Sequence, residues 1–135
     1  MHRFSILIWI GIALLLTACG SQRNNAQEVV ERFAAAGLAI GDMRPVEHVM
    51  DPNLPAVYRE YIRFQIKTNP PGGGSVFVCG NQEDCALIYQ YFADNADRAG
   101  PYLYRNADGT VVVHLYRELE PEVAQQFAAV INTLP

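Results

Sequence analysis

Apolar residues change period several times along the chain, and each change marks an expected element. A run from Ile6 to Leu16, interrupted only by Gly11, opens the sequence without any period. Asn25 with Glu28 three residues later then reads as a helix start. Val29, Val30, Phe33 and Ala36 follow at helical spacing, with Gly37 as the stop. A short strand is expected over Val46–Met50, and Asp51-Pro52-Asn53-Leu54-Pro55 reads as a turn. From 58 to 67 the residues alternate: Tyr58, Glu60, Ile62, Phe64 and Ile66 against Arg59, Tyr61, Arg63, Gln65 and Lys67. That is a half-buried strand. Asn69–Gly74 is expected as a mobile loop and Ser75–Cys79 as a second strand. Asn81 caps the next helix, whose buried stripe is Cys85, Ile88, Tyr89, Phe92 and Ala96. Tyr102–Arg105 and Thr110–Arg117 form a hairpin, and Pro121 opens a last helix that buries Phe127, Ile131 and Leu134.

The hairpin turn decides which side chains share a face. Asn106-Ala107-Asp108-Gly109 fits a type I turn with Gly109 in the left-handed region, giving a three-residue loop. That register sets Leu103 opposite Val113 and Tyr102 opposite His114. Tyr102, Tyr104, His114 and Tyr116 then lie away from the core. A two-residue turn at Asp108-Gly109 would reverse the tyrosines. The order of elements gives an α+β class, with an antiparallel sheet of four to five strands and three helices. One arrangement is a permuted ferredoxin-like (split β-α-β) sheet. In it the strand at 58–67 takes the last strand's place and both later helices lie on one face.

The opening run is about 11 residues, whereas a membrane span needs about 20. Arg3 before it makes the charged and apolar regions of an export signal. Leu16-Thr17-Ala18-Cys19 resembles the lipobox of bacterial lipoproteins. The resemblance implies a signal peptide over 1–18, cleavage after Ala18, and lipid (diacylglyceryl and a fatty acid such as palmitate) on Cys19. It also implies attachment to the cell membrane or the outer membrane, with the domain outside the cytoplasm. Gly20 leaves both membranes open, and each buried lipid methylene contributes about 0.8 kcal/mol. Residues 19–24 form a short tether, its five residues after Cys19 reaching at most about 17 Å. Residues 25–135 form a single α+β domain.

Composition narrows the partners. Losing Arg3 turns the formal charge of −4 into −5, which argues against nucleic acid. Outside the cytoplasm the remaining cysteines, Cys79 and Cys85, read first as a disulfide, with two buried thiols as the alternative. Phe33-Ala-Ala-Ala-Gly-Leu38, Ile62-Arg-Phe-Gln-Ile66 and the closing hairpin and helix are similar to segments of small bacterial lipoproteins. These motifs are structural, and the resemblance carries no activity.

Chemistry-bearing residues are few. Ser21 and Ser75 are the only serines beyond the signal, and Gly73-Gly74-Ser75 leads into a strand, so no nucleophile elbow forms. The glycines precede no Gly-Lys pair, which removes a phosphate loop. His48 and His114 have no carboxylate at ligand spacing. No catalytic residue, metal or cofactor is therefore expected, and the chain does not read as an enzyme. The distinctive set is Tyr61, Arg63, Tyr102, Tyr104, His114 and Tyr116, all expected on the sheet's outer face. Tyrosine and arginine there would suit an envelope protein, peptide or glycan. Equally, the apolar stripe of the first helix could cover that face. The expected function is a binding or interaction module, with a structural accessory subunit of a cell-envelope complex as the alternative.

Overall fold

The computed structural model describes residues 24–135. The expected signal peptide, Cys19 and residues 20–23 of the tether lie outside the described residues. Among those described, no helix is long and apolar enough to cross a membrane.

Helix α1 (Ala26–Ala35) starts where the sequence marks it, the Asn25 side chain accepting from the Glu28 N–H at 2.8 Å. The Ala26 N–H donates to Glu60 Oε2 at 3.2 Å and so fastens the helix start to the sheet. Next come β1 (Ile40–Pro45), β2 (Tyr58–Ile66), β3 (Gly72–Cys79) and α2 (Gln82–Asp94). The short α3 (Ala96–Ala99), β4 (Leu103–Arg105), β5 (Val111–Leu115) and α4 (Pro121–Ile131) complete the order. The five strands form one antiparallel sheet in the order β1-β2-β3-β5-β4. The class is α+β, as expected, with four helices among the described residues where the sequence suggested three.

The sheet is covered on both faces. On one, α1 and α4 pack Val29, Val30, Phe33, Phe127 and Ile131 against Phe64, Val113 and Leu115. Three rings meet there, Phe33 lying 4.8 Å from Phe127 and 5.7 Å from Phe64 between centroids. On the other face α2 packs Cys85, Ile88 and Phe92 against Tyr61, Phe77 and Val112. Cys79, ending β3, and Cys85, in the first turn of α2, lie 5.5 Å apart at Cα with their sulfurs at bonding distance. Strands β3 and β4 run parallel with β5 between them. The sheet order is thus compatible with the permuted split arrangement, but α2 and α4 occupy opposite faces, so the expectation of both later helices on one face is corrected. An apolar set on each side of β5 (Val111, Val113 and Leu115 against Val112) is what calls for cover on both.

Four local expectations also change. The strand expected at Val46–Met50 lies earlier, at Ile40–Pro45. Gly41, Asp42 and Pro45 are poor strand formers, and pairing with β2 overrides them. The expected loop glycines Gly72, Gly73 and Gly74 belong to β3, because close neighbours leave no room for side chains. A Cβ at Gly73 would stand 2.7 Å from Tyr116 Cε2 and 2.9 Å from the Phe64 carbonyl oxygen. A bulge between Tyr58 and Glu60 turns Tyr58 to the α2 face, where it meets Tyr61 and Phe77 edge-on.

The hairpin register shifts by one, with Leu103 opposite His114 and Tyr104 opposite Val113. The Asn106–Gly109 turn forms and Gly109 has φ 75°, but the Asn106 carbonyl is spent on Gly109. Asn106 Oδ1 therefore accepts from the Val111 N–H at 2.8 Å, and Asp108 accepts from both the N–H and the hydroxyl of Thr110. These bonds hold one more residue in the loop and exchange the faces of β4.

Candidate functional site

Cross-strand register builds the site row by row on the α2 face. One row carries Tyr61, Phe77 and Val112, and it is apolar and covered by α2. Tyr61 stacks on Phe77 at 4.2 Å, and Phe92 of α2 lies 5.5 Å from Phe77. The next row crosses all five strands as Arg44, Arg63, Ser75, His114 and Leu103. Beyond it, Gln65 pairs with Gly73, whose carbonyl accepts from the Tyr116 N–H at 2.9 Å. With no side chain at Gly73, the Tyr116 ring lies down against β3. Helix α2 reaches the middle row through Phe92, which stacks on His114 at 4.3 Å, and Tyr91 lines the pocket beside it. The cover runs out there.

Two adjoining hollows result. A trough of about 480 Å³ is lined by Asp42, Arg44, Arg63, Gln65 and Tyr116 among others. A smaller pocket of about 170 Å³ lies beneath the 46–57 segment, with Leu54, Tyr61, Ser75, Phe92 and His114 in its walls. Arg63 and Tyr116 belong to both. The covering segment is held by Val46, whose N–H donates to the Tyr61 carbonyl at 2.9 Å, and by the Tyr91 hydroxyl, which donates to Asp51 Oδ2. Burial and then that bond push the Tyr91 hydroxyl up to about 12, while the same bond lowers Asp51.

The polar groups are arranged unequally. Arg63 Nε donates to the Tyr61 hydroxyl at 3.1 Å, and the residue is exposed where it lines the trough. The titratable groups that act on Arg63 are Tyr61 and Tyr116, with no carboxylate among them. His114 is 4% exposed, and its Nε2 lies 3.1 Å from the Ala99 carbonyl. A carbonyl only accepts, so Nε2 carries the proton and Nδ1 keeps a lone pair. Burial lowers the His114 pKa, opposed by the bond to Ala99, so the ring is neutral near pH 7. Ser75 is buried beside it and pairs with both Arg63 and His114 in register. Among the described residues no three His, Cys, Asp or Glu side chains gather as metal ligands.

Of the six residues expected on one face, Tyr61, Arg63, His114 and Tyr116 come together. Tyr102 and Tyr104 do not. They pack against the core under α1 and α4, and the Tyr102 hydroxyl donates to the Leu119 carbonyl at 3.0 Å. The one-residue register shift in the hairpin is the cause. Nor does α1 cover the outer face; α2 and the 46–57 segment cover part of it instead. Sequence reasoning missed Arg44, Ser75 and Tyr91. Alternation through β3 would have placed Ser75, but Arg44 becomes visible only once β1 is paired. Comparisons with protein-family models, curated proteins and solved structures found no match.

Proposed function

We propose that this chain is a lipid-anchored binding module working outside the cytoplasm, with the trough on the α2 face as its ligand site. The observation that carries the binding part is the middle row. Arg44, Arg63, Ser75 and His114 stand side by side near the end of α2, between a largely polar trough and a smaller pocket that supplies apolar walls. Small-ligand sites combine such walls with a few convergent polar groups. The anchoring part rests on the sequence, Arg3, the apolar run and Leu16-Thr17-Ala18-Cys19.

The tether geometry is consistent with this reading. Residues 20–24 span at most about 17 Å, and α1 is fastened at Glu60, near the start of β2. Gln65 lies five residues further along that strand, about 17 Å at about 3.3 Å per residue. The Gln65 side of the trough therefore lies toward the end of β2 remote from the start of α1.

Each half has its own test. Growth with an alkyne-bearing palmitate should label the wild-type chain and not Cys19→Ala; equal labelling contradicts the lipid anchor. Two-dimensional NMR of the isotopically labelled chain, titrated with pools of peptidoglycan fragments, glycans and peptides, tests binding. Shifts clustered on Arg63, His114 and Tyr116 support it. A silent spectrum from a folded chain contradicts it and favours a structural role in an envelope complex.

A further inference from the structure

We infer that the trough takes a compact organic anion, a carboxylate or phosphate monoester on a ring-sized body, clamped by Arg44 and Arg63. This rests on reading the trough as a binding site and names its ligand class.

Arg44 and Arg63 are directly opposed on neighbouring strands, and both are exposed. Like charges in that position destabilise a sheet pair. Asp42 is the one carboxylate lining the trough, so two guanidinium groups face one acid there. The chain as a whole is acidic, at −4. A local excess of arginine on an acidic domain, not matched by carboxylates, is what an anion would relieve. Guanidinium groups suit it because their planar fork offers two parallel donors to a carboxylate or phosphate. Arg63 is also pre-oriented, since the Tyr61 hydroxyl already holds its Nε.

Size and polarity fit the same ligand class. The pocket behind Arg63 measures about 170 Å³, and a cavity of about 150 Å³ is known to hold a benzene ring. Leu54, Tyr61 and the stacked Phe92–His114 pair give it flat apolar walls. Neutral His114 offers an acceptor at Nδ1 and Ser75 a hydroxyl, so a hydroxyl on the ring would find partners. A ring in the pocket places its anionic substituent at the shared wall, formed by Arg63 and Tyr116.

The same anionic chemistry occurs on lipid headgroups. The trough lies at the far end of β2 from the α1 attachment, and the domain's negative charge opposes an anionic bilayer. Both favour a soluble anion.

The test uses the full chain, isotopically labelled and dissolved in a neutral maltoside detergent. Benzoate and phenyl phosphate are titrated beside benzyl alcohol, inorganic phosphate and glucose. The expected result is that benzoate or phenyl phosphate moves the Arg63 Nε–H and His114 ring signals. It should bind about tenfold or more tightly than either half alone, the worth of a charged hydrogen bond. Arg63→Gln with Arg44→Gln should remove that preference while the rest of the spectrum keeps its dispersion. Arg63→Lys, which retains charge without the fork, should fall between. Benzyl alcohol or glucose moving the same signals as strongly as the anions would overturn the anion inference and leave the binding reading standing. Silence to these probes would overturn it as well, and the pooled titration then decides the broader reading. In lipid discs, larger Arg63 shifts with phosphatidylglycerol than with any soluble anion would overturn it in favour of a headgroup.

Discussion

The two faces of the sheet are made from alternate residues of the same strands, yet they differ in kind. Under α1 and α4, Phe33, Phe64 and Phe127 interlock and Ile62, Ile66, Val76, Val113 and Leu115 fill the space around them. Under α2 the apolar row of Tyr61, Phe77 and Val112 gives way within two residues to Arg63, Ser75 and His114. Two helices cover most of the first face, Met43 at its β1 edge staying exposed. A single 13-residue helix and a tied-down segment leave the second face partly uncovered. Stability concentrates on the face with fuller cover, and polar chemistry is tolerated where cover ends, because the groups there can still meet water or a ligand.

If that division is right, the largest stability loss belongs to the closed face. Phe127→Ala should cost roughly 3–5 kcal/mol, the usual range for a fully buried phenylalanine, measured by urea unfolding. A loss below about 1 kcal/mol would mean that the closed face is not the principal core.

The second effect, on the α2 face, is the cysteine pair. Replacing Cys79 and Cys85 together by alanine should cost about 2–4 kcal/mol, smaller because the closed loop is short. It frees the start of α2 from the end of β3. Hydrogen exchange should rise in α2 before it rises in α1 or α4, and uniform acceleration would contradict two separately supported faces.

His114 makes the α2 face sensitive to acid. Its folded pKa lies below the ordinary 6.5, chiefly through burial. In the window just beneath 6.5 the unfolded chain binds the extra proton. Stability is therefore whole above that window and falls as pH drops through it toward the folded value. His114→Gln should flatten the unfolding profile there, and an unchanged profile would contradict a buried neutral ring.

Arg63→Gln gives the smallest effect on folding. An exposed side chain with no carboxylate partner should alter stability by no more than about 0.5 kcal/mol. A substantially larger loss would make Arg63 a structural residue and weaken the separation of the faces.

Much of this division was legible from the residues. Asn25, Asn81 and Pro121 marked the helix starts, and the alternation of Ile62, Phe64 and Ile66 marked the closed face of β2. The spacing of Cys79 and Cys85 pointed to a cross-link. What stayed hidden depended on contacts between distant segments. β1 owes its strand geometry to β2 rather than to Gly41, Asp42 or Pro45. Gly72–Gly74 looks like a loop until Tyr116, Phe64 and Leu119 are seen filling the space their side chains would occupy. The hairpin register turned on side-chain bonds inside the loop, from Val111 to Asn106 and from Thr110 to Asp108, which moved Tyr102 and Tyr104 out of the candidate site and left Tyr61, Arg63, His114 and Tyr116 in it.

The most direct test of the α2 face as the ligand face compares aromatic signals from the two sides in one sample. The full chain, labelled at tyrosine and histidine rings, is titrated with whichever pool produces binding. Shifts at Tyr61, His114 and Tyr116, with Tyr102 and Tyr104 unmoved, are the predicted result. Shifts at Tyr102 and Tyr104 that match or exceed those of the other three would contradict it.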